Sequence, residues 1–298
     1  MTLHECVLQW PRGGATFNVR LAPNTDIRTP PHMLGRSSFV LVGLALWLSP
    51  LQADAQAPSA MDRVPPDLID DIVTGSRVLA DFGVLDAFGH ISARHPTNPG
   101  HFLMSRALAP ALVTSDDIME FDQDGNAVDA RGRGVFLERF IHAEIYKARP
   151  DVMSVVHTHS PNVIPFSVSK MPLRPLYHNA GFLAAGVPVW DIAREFGPTD
   201  MVVRDGGIAK SLARALSDKS VALMRGHGDV AVGPAVKVAV FRAYYADVNA
   251  RLQAQAIGLG AEVTYLSAEE GKNADAVNLA VIDRVWSLWK QQIRPTLK

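Results

Sequence analysis

Apolar residues recur along this chain in two alternating rhythms. After Pro65-Pro66, Leu68, Ile69, Ile72, Val78 and Leu79 fall at helical spacing, and the stretch closes near Gly83. Residues 89–94 and 101–105 read as short strands, the first entered through Gly89. Asp116-Asp117 marks a place where a short helix can begin, and Asp122-Gln-Asp-Gly125 is a turn signal. Phe140, Ile141, Ile145 and Tyr146 give a helix over 138–148 its apolar side, and Pro150 stops it. A Val-rich strand over 152–159 follows at once. Then come a strand at 187–190, a helix at 208–216, and two apolar strands at 220–224 and 230–233 joined through Arg225-Gly-His-Gly228. Pro234 opens a long helix to about residue 257, closed by Gly258, and a final helix covers 276–293. Strands and helices interleave throughout, which predicts a layered α/β domain.

The first 57 residues follow neither rhythm. Residues 1–32 carry several Pro and Gly and no sustained periodicity. Met33-Leu-Gly-Arg36 precedes an apolar run from Phe39 to Leu48, followed by Ser49-Pro50 and Ala53-Asp-Ala55. That is the basic, apolar and small-x-small order of a secretory signal peptide. The run is far short of the roughly 20 residues needed to span a bilayer. A buried core helix or a plain membrane anchor is the alternative. The expectation is a translation start at Met33, with 1–32 a start-site artefact or disordered, 33–57 a signal peptide and 58–298 one folded domain. Cleavage near Ala55 or Ala57 then leaves no stable membrane span, and the product is periplasmic or secreted; it is cytoplasmic if the segment does not function.

Composition narrows the chemistry. Of 298 residues, 48% are hydrophobic, ample for a sizeable core. Lys plus Arg number 29 against 30 Asp plus Glu, so no basic field exists to attract nucleic acid. Cys6 is the only cysteine, which excludes a disulfide framework and a Cys-based zinc site. Histidine and carboxylate remain as metal ligands.

Those residues are placed suggestively. On a strand, residues two apart share a face, so His157 and His159 can point at one ion. Neutral imidazole is the commonest metal ligand, and three protein ligands plus an open position is the arrangement of a catalytic divalent metal. His227, between Gly226 and Gly228, supplies a third nitrogen from a neighbouring hairpin tip. Glu138 lies at the start of the helix that leads into the His157 strand. His142, four residues on, shares its face. His142 either holds a ligand's ring from behind or is an ordinary helix-face residue.

In order, Gly89-His-Ile-Ser-Ala-Arg94, Glu138 with His142, Arg149 to Ser160 with its Val-Val-His-Thr-His-Ser, and Arg225-Gly-His-Gly228 resemble the class II aldolase/adducin family over roughly residues 66–270. The resemblance implies a three-layer α/β/α fold with a central, mostly antiparallel sheet, and a homotetramer with active sites between subunits. It makes His157, His159 and His227 ligands of a divalent metal, zinc or else manganese or cobalt. Glu138 becomes the acid/base or a displaceable fourth ligand, its pKa raised by burial.

The departures from the family pattern matter as much. Sugar-phosphate aldolases of this family usually carry Gly-Asn where Gly89-His90 stands, a Thr-x-Ser-Gly-like loop where Ser105-Arg-Ala-Leu108 stands, and small hydroxyl residues where Phe136-Leu137 stands. Phe and Leu donate no hydrogen bonds, and a phosphate needs several. Arg106 offers instead a planar fork suited to a carboxylate. With Ala109-Pro110, Tyr244-Tyr245, Asn249-Ala250 and Gln253, the chain is more similar to the decarboxylase-like branch, of the hydroxy-carboxymuconic semialdehyde and dihydroxyphthalate decarboxylase type. The expected activity is therefore a metal-dependent carbon–carbon lyase, preferably a decarboxylase of a hydroxylated or oxo acid. His90, Ser105 and Arg106 are the substrate-binding candidates for a small carboxylate. The alternatives are an aldolase or epimerase acting on hydroxy-aldehydes or sugar phosphates, and an adducin-like binding module without chemistry. His90 either contacts substrate or hydrogen-bonds a turn, and Arg106 has a solvated surface role as its alternative. Tyr177-His178-Asn179 either lines the cleft or packs, and Tyr244 and Tyr245 are read as helix packing, with one hydroxyl reaching a neighbouring site as the alternative.

Overall fold

Alternation along the strands dictates the architecture. In the computed structural model, which describes residues 64–293, β1 (His90–Arg94), β2 (His101–Ser105) and β3 (Ile118–Asp122) form a meander. β4 (Ser154–Thr158) pairs with β1 on its free side. β5 (Val189–Trp190), β6 (Val221–Met224) and β7 (Gly228–Gly233) complete a seven-stranded sheet ordered β3-β2-β1-β4-β7-β6-β5. Every pairing is antiparallel except that of β5 with β6. The two expected signal and leader segments, 1–32 and 33–57, lie outside the described residues.

Side chains two apart share a face, and the two faces bury separate cores. Ile91, Leu103, Val156, Leu223 and Ala231 lie in one; Phe102, Met104, Val155, Met224 and Val230 lie in the other. Because apolar residues occupy both parities, each face needs its own helical cover. The first face takes α1 (Pro66–Asp81), through Ile72 and Leu79. The second takes α2 (Arg139–Ala148), through Ile141 and Ile145. Short helices α3 (Ile164–Val168) and α4 (Ile192–Phe196) lead to α5 (Gly206–Leu216), which adds Leu212 and Leu216 to the second core. α6 (Val236–Gly258), α7 (Ala268–Ala280) and α8 (Ile282–Ile293) follow, with Val240 and Phe241 of α6 and Trp286 and Trp289 of α8 in the first core. Three layers result, α/β/α, as expected.

Several elements differ from the sequence-based reading, the short helices α3 and α4 among them. β3 occupies a stretch for which only a helix start and a turn are expected; both are present beside it, as a 3₁₀ turn at Ser115–Asp117 and the Asp122–Gly125 turn. The expected single helix over 276–293 is two helices broken at Val281, whose backbone leaves helical geometry (φ −115°, ψ 12°). Residues His178–Ala185 coil into a 3₁₀ segment packed against α7, where Gly181 and Gly271 allow close approach. Among the described residues, no helix is long and apolar enough to cross a membrane.

Candidate active site

The register of three central strands assembles the site. His90 on β1 stands opposite His157 on β4, and His157 stands opposite Val230 on β7. His157 shares parity with Val155 and so faces α2, whose N-terminal cap is Glu138. His159 follows directly after β4. His227 sits at the β6–β7 turn, where Gly226 takes a positive φ of 65°. Gly228 cannot be replaced: a Cβ there would collide with the carbonyl oxygen of Thr158. The two glycines thus press the turn onto the end of β4 and aim His227 at His159.

One ligand atom from each of Glu138, His157, His159 and His227 lies within 4.8 Å of the others. His227 Nε2 is 2.9 Å from His159 Nε2. Glu138 Oε2 is 3.4 Å from His157 Nε2 and 3.5 Å from His227 Nε2. The other Glu138 oxygen accepts the Val203 N–H at 2.9 Å, which fixes the carboxylate's rotation. His157 Nδ1 spends its proton on the Asp229 carbonyl oxygen at 3.1 Å. Its Nε2 is therefore a lone pair facing the cluster, and it is buried with no hydrogen-bond partner. Converging nitrogen lone pairs and a carboxylate oxygen repel one another unless a cation sits among them. The donor set fits a divalent metal, with His157, His159, His227 and Glu138 as the residues that would hold it.

Electrostatics support ligation. Burial pushes the His159 imidazole down to about 4, with His157 and His227 adding to the shift, so the ring is neutral and free to ligate. The Glu138 carboxyl departs from expectation. Burial pushes it up, but positive charge beside it, on His157 and His227 or on a cation held among the neutral rings, outweighs burial and holds it well below the usual carboxylate range. Glu138 is an ionised base in this site rather than a retained acid.

Glu138, His159 and His227 of the cluster line a cavity of about 470 Å³. Its walls are mostly apolar: Phe88, Leu108, Val135, Phe136, Leu137 and Val202 line it with the alanines at 87, 107 and 109. Phe88 stacks on the His159 ring at 5.7 Å between centroids. Among the expected substrate contacts, His90 lines the cavity. Ser105 and Arg106 do not. Ser105 is buried at the end of β2, opposite Ile118. Arg106 donates through Nε to Asp117 at 2.6 Å, and Asp117 also accepts from Thr114. The fork expected to grip a carboxylate is thus turned to a neighbouring loop, because Asp117 sits in the 3₁₀ turn beside it. His142 fits neither of its two sequence readings: it is fully buried and bonds to His90 and Ser92, not to a metal-ligand ring. Tyr177 packs on Tyr245, Tyr244 packs on Phe82, and Tyr177 and His178 are absent from the cavity walls. Sequence reasoning misses Val203, whose contribution is a backbone amide without a side-chain signature. It also misses Phe88, an exposed phenylalanine that only the turn before Gly89 brings onto His159.

Comparison with known proteins bears on this geometry. Residues 70–254 match the class II aldolase and adducin N-terminal domain. The chain belongs to that family. It is 35% identical over 244 residues to decarboxylase tropJ of Talaromyces stipitatus, covering 74% of this chain and 92% of that protein. It is 32% identical over 204 residues to a 3,4-dihydroxyphthalate decarboxylase of Arthrobacter keyseri, covering 63% of this chain and 78% of that one. An aldolase II superfamily protein from Pseudomonas syringae superposes with a TM-score of 0.67 at 25% identity, over 80% of this chain and 98% of its own.

Proposed function

We propose that this family member is a divalent-metal-dependent carbon–carbon lyase that decarboxylates a hydroxylated or oxo carboxylic acid. The observation that carries the reading is the junction of a four-residue ligand cluster with an apolar cavity whose lining holds no Lys or Arg. A sugar phosphate is a dianion needing several donors, and the walls at 107–109 and 135–137 offer no side-chain donor. An acid that loses neutral carbon dioxide suits such walls. The two decarboxylases to which the chain is 35% and 32% identical support the same reading.

Bound at the cluster, a divalent cation (zinc, or manganese or cobalt) supplies Lewis-acid stabilisation of negative charge developing on the oxygen beside the breaking bond. The chain's own residues do the rest. Glu138, ionised and anchored by the Val203 amide, accepts the proton of the substrate hydroxyl. The carbon–carboxylate bond breaks, its electron pair stays on the substrate carbon, and Glu138 returns the proton to that carbon as carbon dioxide departs. The apolar walls exclude water from the carbanionic centre. Assembly into a homotetramer belongs to the same proposal; Phe88, Leu112 and Leu137 are exposed large apolar residues on this chain, two of them at the cavity. Light scattering of the purified protein tests it.

The activity test is a panel of hydroxy and oxo acids with added zinc, manganese or cobalt, following carbon dioxide against aldehyde release, alongside metal analysis. The expected outcome is stoichiometric metal and carbon dioxide. Aldehyde release would identify aldol cleavage instead. A protein holding no stoichiometric divalent metal, and unchanged by His157→Ala, is a binding module rather than an enzyme.

A further inference from the structure

Two periodicities bring a second set of polar side chains together behind the ligand cluster. On β1, His90, Ser92 and Arg94 point to the α2 side, two residues apart. On α2 and its cap, Glu138, His142 and Tyr146 fall four apart on one stripe. The rows meet in order. His90 Nδ1 lies 2.6 Å from His142 Nε2, His142 Nδ1 lies 2.5 Å from Ser92 Oγ, and Ser92 Oγ lies 2.7 Å from the Tyr146 hydroxyl. Arg94 closes the row, its guanidinium 4.7 Å from the centre of the Tyr146 ring.

The direction of the protons follows from the closed end. The buried Tyr146 hydroxyl has Ser92 Oγ as its one side-chain hydrogen-bond partner among the described residues, and a buried O–H left without an acceptor is costly. The phenol's own proton then has Ser92 Oγ as its acceptor. The Ser92 hydroxyl, having accepted, donates to His142 Nδ1. An imidazole carries a proton on at least one ring nitrogen. That of His142 is on Nε2 and is donated to His90 Nδ1, so that of His90 is on Nε2. His90 Nε2 has no hydrogen-bond partner among the described residues, yet it is not sealed from solvent as His95 Nε2 and His157 Nε2 are. His90 lines the cavity, which is where an accessible Nε2 would meet a ligand.

We infer that Tyr146, Ser92 and His142 are positioning residues that fix His90 as an Nε2–H donor into the cavity, set to bind an acceptor oxygen of the substrate. The substrate half of this statement rests on the lyase reading; the proton order does not. With no Lys or Arg on the walls, this donor is the feature that would select a carboxylate or phenolate oxygen and orient it toward Glu138. Phe136, 4.6 Å away between centroids, holds the His90 ring from the other side.

Two-bond ¹H–¹⁵N correlation spectra of the full chain, labelled at histidine nitrogens and loaded with zinc, test the proposal; His90→Gln identifies the His90 signals. The expected wild-type pattern is a neutral His90 protonated at Nε2. Ser92→Ala and the milder Tyr146→Phe should each convert it to a tautomer mixture without changing zinc content. An Nδ1–H or doubly protonated His90 in the wild type overturns the proposal, as does a pattern both variants leave untouched. With 2,3-dihydroxybenzoate as probe, the His90 Nε2 signal should shift on binding, and Ser92→Ala should weaken binding roughly three- to tenfold, the worth of one hydrogen bond. Binding unaffected by Ser92→Ala overturns the donor role. A wild type with the expected tautomer that ignores the probe counts against the carboxylate-lyase reading, and leaves the relay standing.

Discussion

Two buried polar regions of this molecule look alike in composition and differ in satisfaction. On α6, Asp247, Asn249 and Gln253 are buried, and their polar atoms have matched partners. Asn249 accepts from the Leu176 N–H and donates to the Arg174 carbonyl, both at 2.8 Å. Gln253 accepts from the Arg174 N–H and donates to the Pro172 carbonyl. Asp247 accepts from Ser160 and Asn162. Across the sheet end, His157 Nε2 and His227 Nδ1 have no partner, and two imidazole nitrogens face each other. A matched polar group holds a loop; an unmatched set of lone pairs waits for a cation. Polar burial alone does not mark a site.

That contrast is broken most forcefully at the ligands. His227→Ala removes one nitrogen from a turn that carries no core side chain, so the fold should survive. Stoichiometric metal and activity should both be lost, activity by more than the ~10–100-fold typical of residues that merely support a ligand. Metal analysis and a turnover assay on one preparation check it. A His227→Ala protein that keeps its metal would place the cation elsewhere.

The matched region predicts the reverse. Asn249→Ala strands the part-buried Leu176 N–H and Arg174 carbonyl, at a cost of up to about 1–3 kcal/mol for each group that water does not reach. The urea midpoint should fall with no change in metal content. Metal loss without loss of stability would erase the distinction between the two regions.

What the sequence discloses follows the same line. Elements with a clean period are legible: α1, α5, α6 and the strand carrying His157 fall within a few residues of their expected positions. The break between α7 and α8 is not, because Val281 is neither Gly nor Pro; the readable signal lies at the other end, in the Ser267-Ala-Glu-Glu270 capping box that starts α7. β3 escapes because Ile118, Met119 and Phe121 are buried on both faces, which leaves no alternation to read. Within the site, the ligands are legible because metal chemistry admits few residue types. The walls are not: Ala107, Leu108 and Phe136 resemble any core residue. The row of Ser92, His142 and Tyr146 needs both periods at once, two along β1 and four along α2.

Arg106 gives the smallest expected effect and the sharpest limit on reading chemistry from residue type. An arginine in a loop expected to bind substrate is an attractive anion anchor, yet what decides its role is the nearest carboxylate. Here that is Asp117, 2.6 Å away, with the Arg106 side chain 40% exposed. Thr114 and Arg106 together hold Asp117 below its ordinary pKa despite the opposing effect of burial. An ion pair this exposed is worth about 0–1 kcal/mol. Arg106→Gln should therefore shift the urea midpoint barely, and should leave KM for the acid substrate within about twofold, since less than ~0.4 kcal/mol of binding would be at stake. Steady-state kinetics decide between the two roles. A rise in KM of tenfold or more, with kcat preserved, would show that Arg106 leaves Asp117 to bind the carboxylate when substrate arrives.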